Sequence, residues 1–255
     1  MKLTFLGTGT STGVPQIGCS CETCTSSDSR DRRLRTSAII TTDEGRNILL
    51  DCGPDFRQQM LGAGSPELAA ALLTHQHYDH VGGIDDIRPY TYPDGFAVYC
   101  KADVAADLRA RMPYCFGARL YPGVPVLHLK EIDPWNDFVV AEAGIKVTPV
   151  PVMHWQLPII GFRIGRFAYI TDCKTMSEES VKLLEGVDTL VLNALRAEPH
   201  NSHLSLSEAL EIIKVIDPRT AYLTHLSHQM GCHAEVESQL PDNVRLAYDG
   251  LVVEV

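Results

Sequence analysis

Residues 74–80 read Thr74-His75-Gln76-His77-Tyr78-Asp79-His80 and follow directly on the apolar run Ala70-Ala71-Leu72-Leu73. Three imidazoles and a carboxylate gathered at one strand end would be desolvated without apolar compensation, whereas a bound divalent ion turns the same groups into a stabilised coordination shell. His75 and His77, two apart in a loop, can reach one ion together. Asp79 and His80 point elsewhere and can reach a second, provided distant segments add ligands. Other strand ends offer them: His154 after Val147-Thr148-Pro149-Val150-Pro151-Val152, Asp172 after Ala168-Tyr169-Ile170, and His225 after Ala221-Tyr222-Leu223.

The 255 residues, 45% hydrophobic and 21% charged, are enough for one large core, so residues 1–255 are expected to form a single domain. No apolar run reaches the roughly 18 residues of a membrane span, and Met1-Lys2-Leu3-Thr4-Phe5-Leu6-Gly7 turns to glycine before a secretory segment forms, which makes the cytoplasm the expected compartment. Cys19, Cys21 and Cys24 lie too close together for a disulfide ladder. In the loop 18–25 they offer three thiolates, and tetrahedral zinc needs one more ligand. A net charge of −10 argues against extended nucleic acid as a partner and leaves a small anionic substrate open.

Strands are expected at 2–6, 37–42 and 47–51, the last two joined by the turn Asp43-Glu44-Gly45-Arg46, and then near 70–74, 97–100, 126–130, 138–141, 145–150, 159–164, 167–171, 188–193 and 219–223. Helical patterns cover 54–61, 102–111, 177–184 with Ser177 as cap, and 205–215. Helices beside β-rich blocks imply layered α/β packing. There is also an internal echo. Ile48-Leu49-Leu50-Asp51-Cys52 precedes Leu72-Leu73-Thr74-His75, and Ala168-Tyr169-Ile170-Thr171-Asp172-Cys173 precedes Tyr222-Leu223-Thr224-His225.

The run His-x-His-x-Asp-His, followed by a lone histidine, an aspartate and a last histidine, resembles the motif of the metallo-β-lactamase superfamily, and the likeness extends from Thr4-Phe5-Leu6-Gly7-Thr8-Gly9-Thr10 to Tyr248-Asp249-Gly250. The resemblance implies a four-layer αββα sandwich, an α/β fold. It implies two divalent ions, Zn or Mn, one held by His75, His77 and His154 and the other by Asp79, His80 and His225, with Asp172 between them. Asp51 would then orient a ligand histidine through its other ring nitrogen, or else cap the turn at Gly53-Pro54. The cysteine loop is similar to that of the phosphoribosyl 1,2-cyclic phosphate phosphodiesterase branch, which implies a structural zinc on Cys19, Cys21, Cys24 and His228, with Cys232 and His233 as competitors for the fourth position. Asn201-Ser202-His203-Leu204-Ser205 resembles a histidine motif of the phosphodiesterase and tRNA-processing branches, so the catalytic candidates are His203, as an acid of suitable pKa, and Asp79; alternatively His203 caps a helix.

The activity so implied is hydrolysis of a small or cyclic phosphodiester, a phosphoribosyl cyclic phosphate or a nucleotide-like diester. A tRNA 3′-processing ribonuclease would share the metals but carries an arm for its RNA, and no glycine-rich basic insertion is visible. A thioester or lactam hydrolase and a non-catalytic zinc-binding or ligand-sensing module are the other rivals. Tyr90, Tyr92, Tyr114, Phe116 and Tyr121 fall in Pro- and Gly-rich stretches that could form a lid or a homodimer surface. Arg57, Arg88, Arg163, Arg166, Lys174 and Arg196 could bind phosphate. Cys52, Cys100, Cys115 and Cys173 read as small buried hydrophobes, and Gly7-Thr8-Gly9-Thr10 and Gly82-Gly83 as tight turns.

Overall fold

Side chains alternate between the two faces of a strand, and most strands here are apolar on both, so each sheet needs cover on both sides. A computed structural model describes residues 1–116 and 123–255; Tyr121, one of the lid aromatics, lies outside the described residues. The strands are β1 (Lys2–Gly7), β2 (Ser37–Thr41), β3 (Asn47–Leu50), β4 (Ala70–Leu72), β5 (Phe96–Cys100), β6 (Leu127–Glu131), β7 (Phe138–Val140), β8 (Ile145–His154), β9 (Leu157–Ile164), β10 (Phe167–Ile170), β11 (Thr189–Asn193), β12 (Thr220–Thr224), β13 (Val244–Leu246) and β14 (Val252–Glu254). The helices in the connections are α1 (Glu22–Thr25), α2 (Phe56–Gly62), α3 (Tyr78–Val81), α4 (Ala102–Arg111), α5 (Glu178–Lys182), α6 (Leu206–Ile216) and α7 (His233–Glu237).

One sheet has the order β14-β1-β2-β3-β4-β5-β6 and the other β13-β12-β11-β10-β9-β8-β7. Both repeat one pattern: pairing is antiparallel as far as β3 or β10 and parallel beyond. Ile48 and Leu50 of β3 share the core between the sheets with Phe167 and Tyr169 of β10. Leu49 faces the other way and joins Phe56, Met60, Val104 and Leu108 of α2 and α4, while Ala168 and Ile170 join Ala209 and Ile213 of α6. The layers are α, β, β, α, as the resemblance implied.

Local signals placed the four expected helices, α2, α4, α5 and α6, to within a residue or two, while the short α1, α3 and α7 were not read from the sequence. Ser177 accepts from Ser180 N and caps α5, and Ser205 and Glu208 close a reciprocal capping box at the start of α6. β8 outruns its expected end by four residues, through Pro151 to His154. The reason is that β7 pairs only with residues 145–147, which leaves the rest of β8 at a sheet edge, where a missing N–H breaks no ladder. β13 and β14, three residues each, carried too little pattern to be seen.

Gly82 and Gly83 form the expected turn, and close backbone also holds the region small: a side chain on Gly83 would strike the Gly53 carbonyl, and one on Gly53 would strike the Asp79 carbonyl. Two expectations are corrected. Gly7-Thr8-Gly9-Thr10 is not a tight turn: Gly7 ends β1, Gly9 bridges to both Arg35 and Leu226, and the two glycines lie against Arg35 and Arg33 backbone atoms. The internal echo also holds only in part. Asp51 and Asp172 follow the matching strands β3 and β10, but Thr74-His75 follows β4, next to β3, whereas Thr224-His225 follows β12, two strands from β10.

Candidate metal centre

The ends of β3, β4, β8, β10 and β12 meet along one edge of the sandwich, and there the chain departs from ordinary backbone. Asp51, Asp172 and His225 all have left-handed φ, near +60°, +60° and +57°. Such values are uncommon outside glycine and are held where surrounding structure enforces them. All three side chains are buried.

The edge gathers every histidine and aspartate expected as a ligand. Asp172 Oδ1 lies 3.3 Å from His80 Nε2 and 3.2 Å from His225 Nε2, and its Oδ2 lies 3.6 Å from His75 Nε2. Asp79 Oδ2 is 3.3 Å from His80 Nε2 and 3.4 Å from His225 Nε2. Asp79, His80, Asp172 and His225 form one group of ligand atoms within 4.8 Å of one another; His75, His77 and Asp172 form a second. His154 stands slightly apart from its expected companions, with ring centroids 5.7 Å from His75 and 5.0 Å from His77, and groups instead with Asp172 and His203.

Hydrogen bonds show which ring nitrogen of each histidine is bare. Thr74 Oγ1 donates to Asp51, so it accepts from His75 Nδ1 at 3.0 Å. His80 Nδ1 donates to Asp51 Oδ2 at 2.8 Å, and His154 Nδ1 donates to the Asp172 and Ser202 carbonyls at 2.9 and 2.8 Å. Nε2 therefore carries the lone pair in each, and those of His75 and His80 are buried without a hydrogen-bond partner among the described residues. Lone pairs of His75 and His80 facing carboxylate oxygens at 3.6 and 3.3 Å repel unless a cation or proton lies between them. The donor set, imidazole and carboxylate, suits Zn or Mn.

The local electrostatics agree. Burial drives His75 well below its usual pKa and lowers His77, favouring the neutral form that binds metal. Burial opposes charge at His80 too, but Asp172, Asp79 and Asp51 outweigh it and hold the pKa well above normal. Burial would also raise Asp172, yet His225 and His80 keep it far below the carboxylate range. Asp51 takes the orienting role rather than capping the Gly53-Pro54 turn, and Thr74, which the sequence did not single out, fixes it through both N–H and hydroxyl at 2.8 and 3.0 Å. Asp51→Asn, which weakens the His80 orientation, is expected to reduce metal affinity about 10- to 100-fold; metal titration against a chromophoric chelator measures it, and an unchanged affinity removes Asp51 from the site.

His203 lies closer in than expected. Its Nδ1 is buried, without a hydrogen-bond partner among the described residues, and 4.0 Å from Asp172 Oδ2, and its ring centroid is 4.5 Å from that of His154 and 4.8 Å from that of His225. Burial pushes its pKa down to about 3 against the pull of Asp172, which favours the neutral ring. Asn193, also missed, holds the loop after Asp172 by accepting from Cys173 N at 2.7 Å and donating to Cys173 O at 2.9 Å. A buried asparagine ending an apolar strand was the available signal.

The cysteine loop converges separately. Cys19, Cys21, Cys24 and His228 place their ligand atoms within 4.8 Å of one another, with His228 Nδ1 3.5 Å from Cys19 Sγ and 3.3 Å from Cys21 Sγ. Tetrahedral zinc, with Zn–S about 2.3 Å and Zn–N about 2.0–2.1 Å, spans S···N edges of roughly 3.5 Å, so the cradle fits. His228 lowers the Cys21 thiol to about 6, while burial raises Cys24 to about 11. The competitors are engaged elsewhere: His233 Nδ1 lies 3.1 Å from the Arg33 guanidinium, and Cys232 Sγ contacts Thr23 Oγ1 at 4.0 Å.

The basic candidates divide by position. Arg163 and Arg166 flank the β9–β10 turn, at the far end of the sheet, and Arg166 pairs with Asp188. Arg57 and Arg88 line a cavity with Phe56 and Tyr90 under α2. Lys174 and Arg196 follow β10 and β11 at the metal edge, where Lys174 bonds Glu208 at 2.6 Å and Arg196 bonds Gln229 at 2.8 Å. Cys52, Cys100, Cys115 and Cys173 are buried, as expected. No helix of the described residues is long and apolar enough to cross a membrane.

An αββα sandwich with imidazole and carboxylate cradles along one strand edge defines the class, a metal-dependent hydrolase. A family model for the beta-lactamase superfamily domain matches residues 46–226, more than half of the chain, which therefore belongs to the metallo-β-lactamase superfamily. A crystal structure described as a new diphosphatase from the PhnP family is 37% identical and superposes with a TM-score of 0.92, covering 100% of this chain and 97% of that one. Zn(2+)-bound PqqB from Methylobacterium extorquens superposes at a TM-score of 0.80 with 22% identity over the whole of both chains, a likeness of fold alone. An octanoyltransferase of Porphyromonas gingivalis is 44% identical over 252 residues, 98% of this chain and 51% of that protein, so the chain spans about half the length of that relative.

Proposed function

We propose that the protein is a metal-dependent phosphodiesterase acting on a small or cyclic phosphodiester. The observation that carries this reading is Asp172, whose two carboxylate oxygens reach toward imidazoles of both ligand groups, so that it could serve two divalent ions at once. Two such ions, Zn or Mn, supply Lewis acidity toward phosphoryl oxygens and acidify water. His75, His77 and His154 would hold one, Asp79, His80 and His225 the other, and Cys19, Cys21, Cys24 and His228 a structural zinc. The likeness to a PhnP-family diphosphatase supports phosphoryl chemistry. The name of the P. gingivalis relative describes a chain about twice as long, and acyl transfer is not carried over.

In this reading the protein's own groups bind, orient and move a proton. Asp51 and Thr74 fix the rings of His80 and His75, and Asp79 secures its ion beside His80. His203 is the acid. Burial favours its neutral form, and the negative charge of an entering diester beside the ring would offset that burial and favour the protonated form it needs as an acid. It then protonates the leaving oxygen.

His203→Ala is expected to keep a full metal complement by elemental analysis while losing about 10²- to 10⁴-fold in kcat on a phosphodiester. Loss of metal together with activity would instead make His203 a ligand, and undiminished activity would remove it from the mechanism. Assays across a phosphodiester, a thioester and nitrocefin, each with Zn and Mn, separate the reaction classes.

A further inference from the structure

The hairpin between β8 and β9 turns through Trp155 and Gln156, directly after His154, which pairs with Leu157. Trp155 takes a left-handed φ of 53°, a backbone conformation that bulky side chains rarely adopt. The residue is nevertheless 63% exposed, although an indole gains most from burial. Strain and exposure at one residue beside a metal cluster mark a displayed side chain rather than a packing element.

The indole borders a cavity of about 510 Å³ shared with Gln76, His77, His154, Gln156 and Ser202, a volume within the roughly 300–1,000 Å³ range of small-molecule sites. Gln76 Oε1 is buried and has no hydrogen-bond partner among the described residues. The cavity thus joins a flat aromatic face, two carboxamides that offer both donors and acceptors, and the open side of the cluster at His77 and His154.

We infer that Trp155 is a stacking platform for a planar heterocycle of the substrate, with Gln76 and Gln156 addressing the ring edge, so that the preferred diester carries a nucleobase next to the scissile phosphate. An aromatic face binds any base by stacking, and amides select among ring edges. The inference rests on the phosphodiesterase reading and narrows it.

The test compares adenosine 2′,3′-cyclic phosphate with glycerol 1,2-cyclic phosphate on the metal-loaded protein, releasing the product monoester as inorganic phosphate with an added phosphatase. Trp155→Ala is expected to raise KM for the adenosine diester roughly tenfold and to leave kcat/KM for the glycerol diester within about twofold, and Trp155→Phe is expected to restore most of the loss. The chain has two tryptophans, Trp135 and Trp155. In Trp135→Phe protein, titration with adenosine 5′-monophosphate is expected to quench the remaining fluorescence, and ribose 5-phosphate is expected not to. Equal effects of Trp155→Ala on both diesters, or no effect on either, overturn the platform while the phosphodiesterase reading stands. Quenching by adenosine 5′-monophosphate without turnover of either diester keeps the platform and rejects that reading. Absence of both quenching and turnover overturns the platform as well.

Discussion

Replacing Asp172 by alanine is expected to lower phosphodiester turnover by about three orders of magnitude or more and to reduce the bound metal by at least one equivalent. Asp172 belongs to each of the three groups of possible ligands along the catalytic edge, and no other described residue does. Removing it leaves His75, His80 and His225 without the charge that faces their Nε2 atoms at 3.2–3.6 Å. Metal ions contribute several kcal/mol of transition-state charge stabilisation, and every 1.36 kcal/mol is a factor of ten in rate, so a misplaced or absent ion accounts for a loss of that size. Asp172→Asn keeps one oxygen and the shape and is expected to fall between alanine and wild type. Elemental analysis and steady-state kinetics on the same preparations check both; a full metal complement with unchanged kcat in the alanine variant ends the shared-ligand assignment.

Cys21→Ser is expected to remove one zinc equivalent, lower the Tm by roughly 10 °C and reduce activity without touching a residue of the catalytic edge. Zinc bound in such a cradle contributes folding free energy directly. A loss of about 4 kcal/mol corresponds to that shift in a chain of this length, at about 2–4 °C per kcal/mol. The effect on activity follows from connectivity. Leu226, next to His225, exchanges backbone hydrogen bonds with the N-terminal segment, as donor to Thr8 O at 2.9 Å and acceptor from Thr10 N at 3.0 Å. The cysteine loop follows that segment, and His228 lies three residues beyond His225. Freeing the loop therefore loosens the segment that carries a catalytic ligand. Differential scanning calorimetry and zinc analysis measure the outcome. A variant that keeps its zinc and its Tm shows that the four ligand atoms do not cooperate.

Much of this site was legible because the chemistry is local. His75, His77, Asp79 and His80 are adjacent in the chain, so their spacing alone indicates convergence on cations. Asp172 and His225 stood out because a charged or imidazole group directly after an apolar strand must go to the strand's end. The helix limits at Ser177 and Ser205 were written in capping side chains within a few residues of the backbone they satisfy. By contrast, the extension of β8 through Pro151 to His154 depended on how far β7 reaches, and Gly53, Gly82 and Gly83 owe their size to neighbours that only folding brings near.

The sequence by itself determined the layered architecture, the ligand types and the strand ends that carry them, since periodicity and spacing are properties of contiguous residues. Tertiary structure alone decided the rest. It chose His228 over Cys232 and His233, because the alternatives are engaged by Thr23 and Arg33. It brought Asp172 between histidines of both groups, and it buried His203 beside them, which lowers its pKa. Those outcomes depend on which distant groups share a low-dielectric space, and burial and Coulomb interaction are set by distances through space that linear order does not contain.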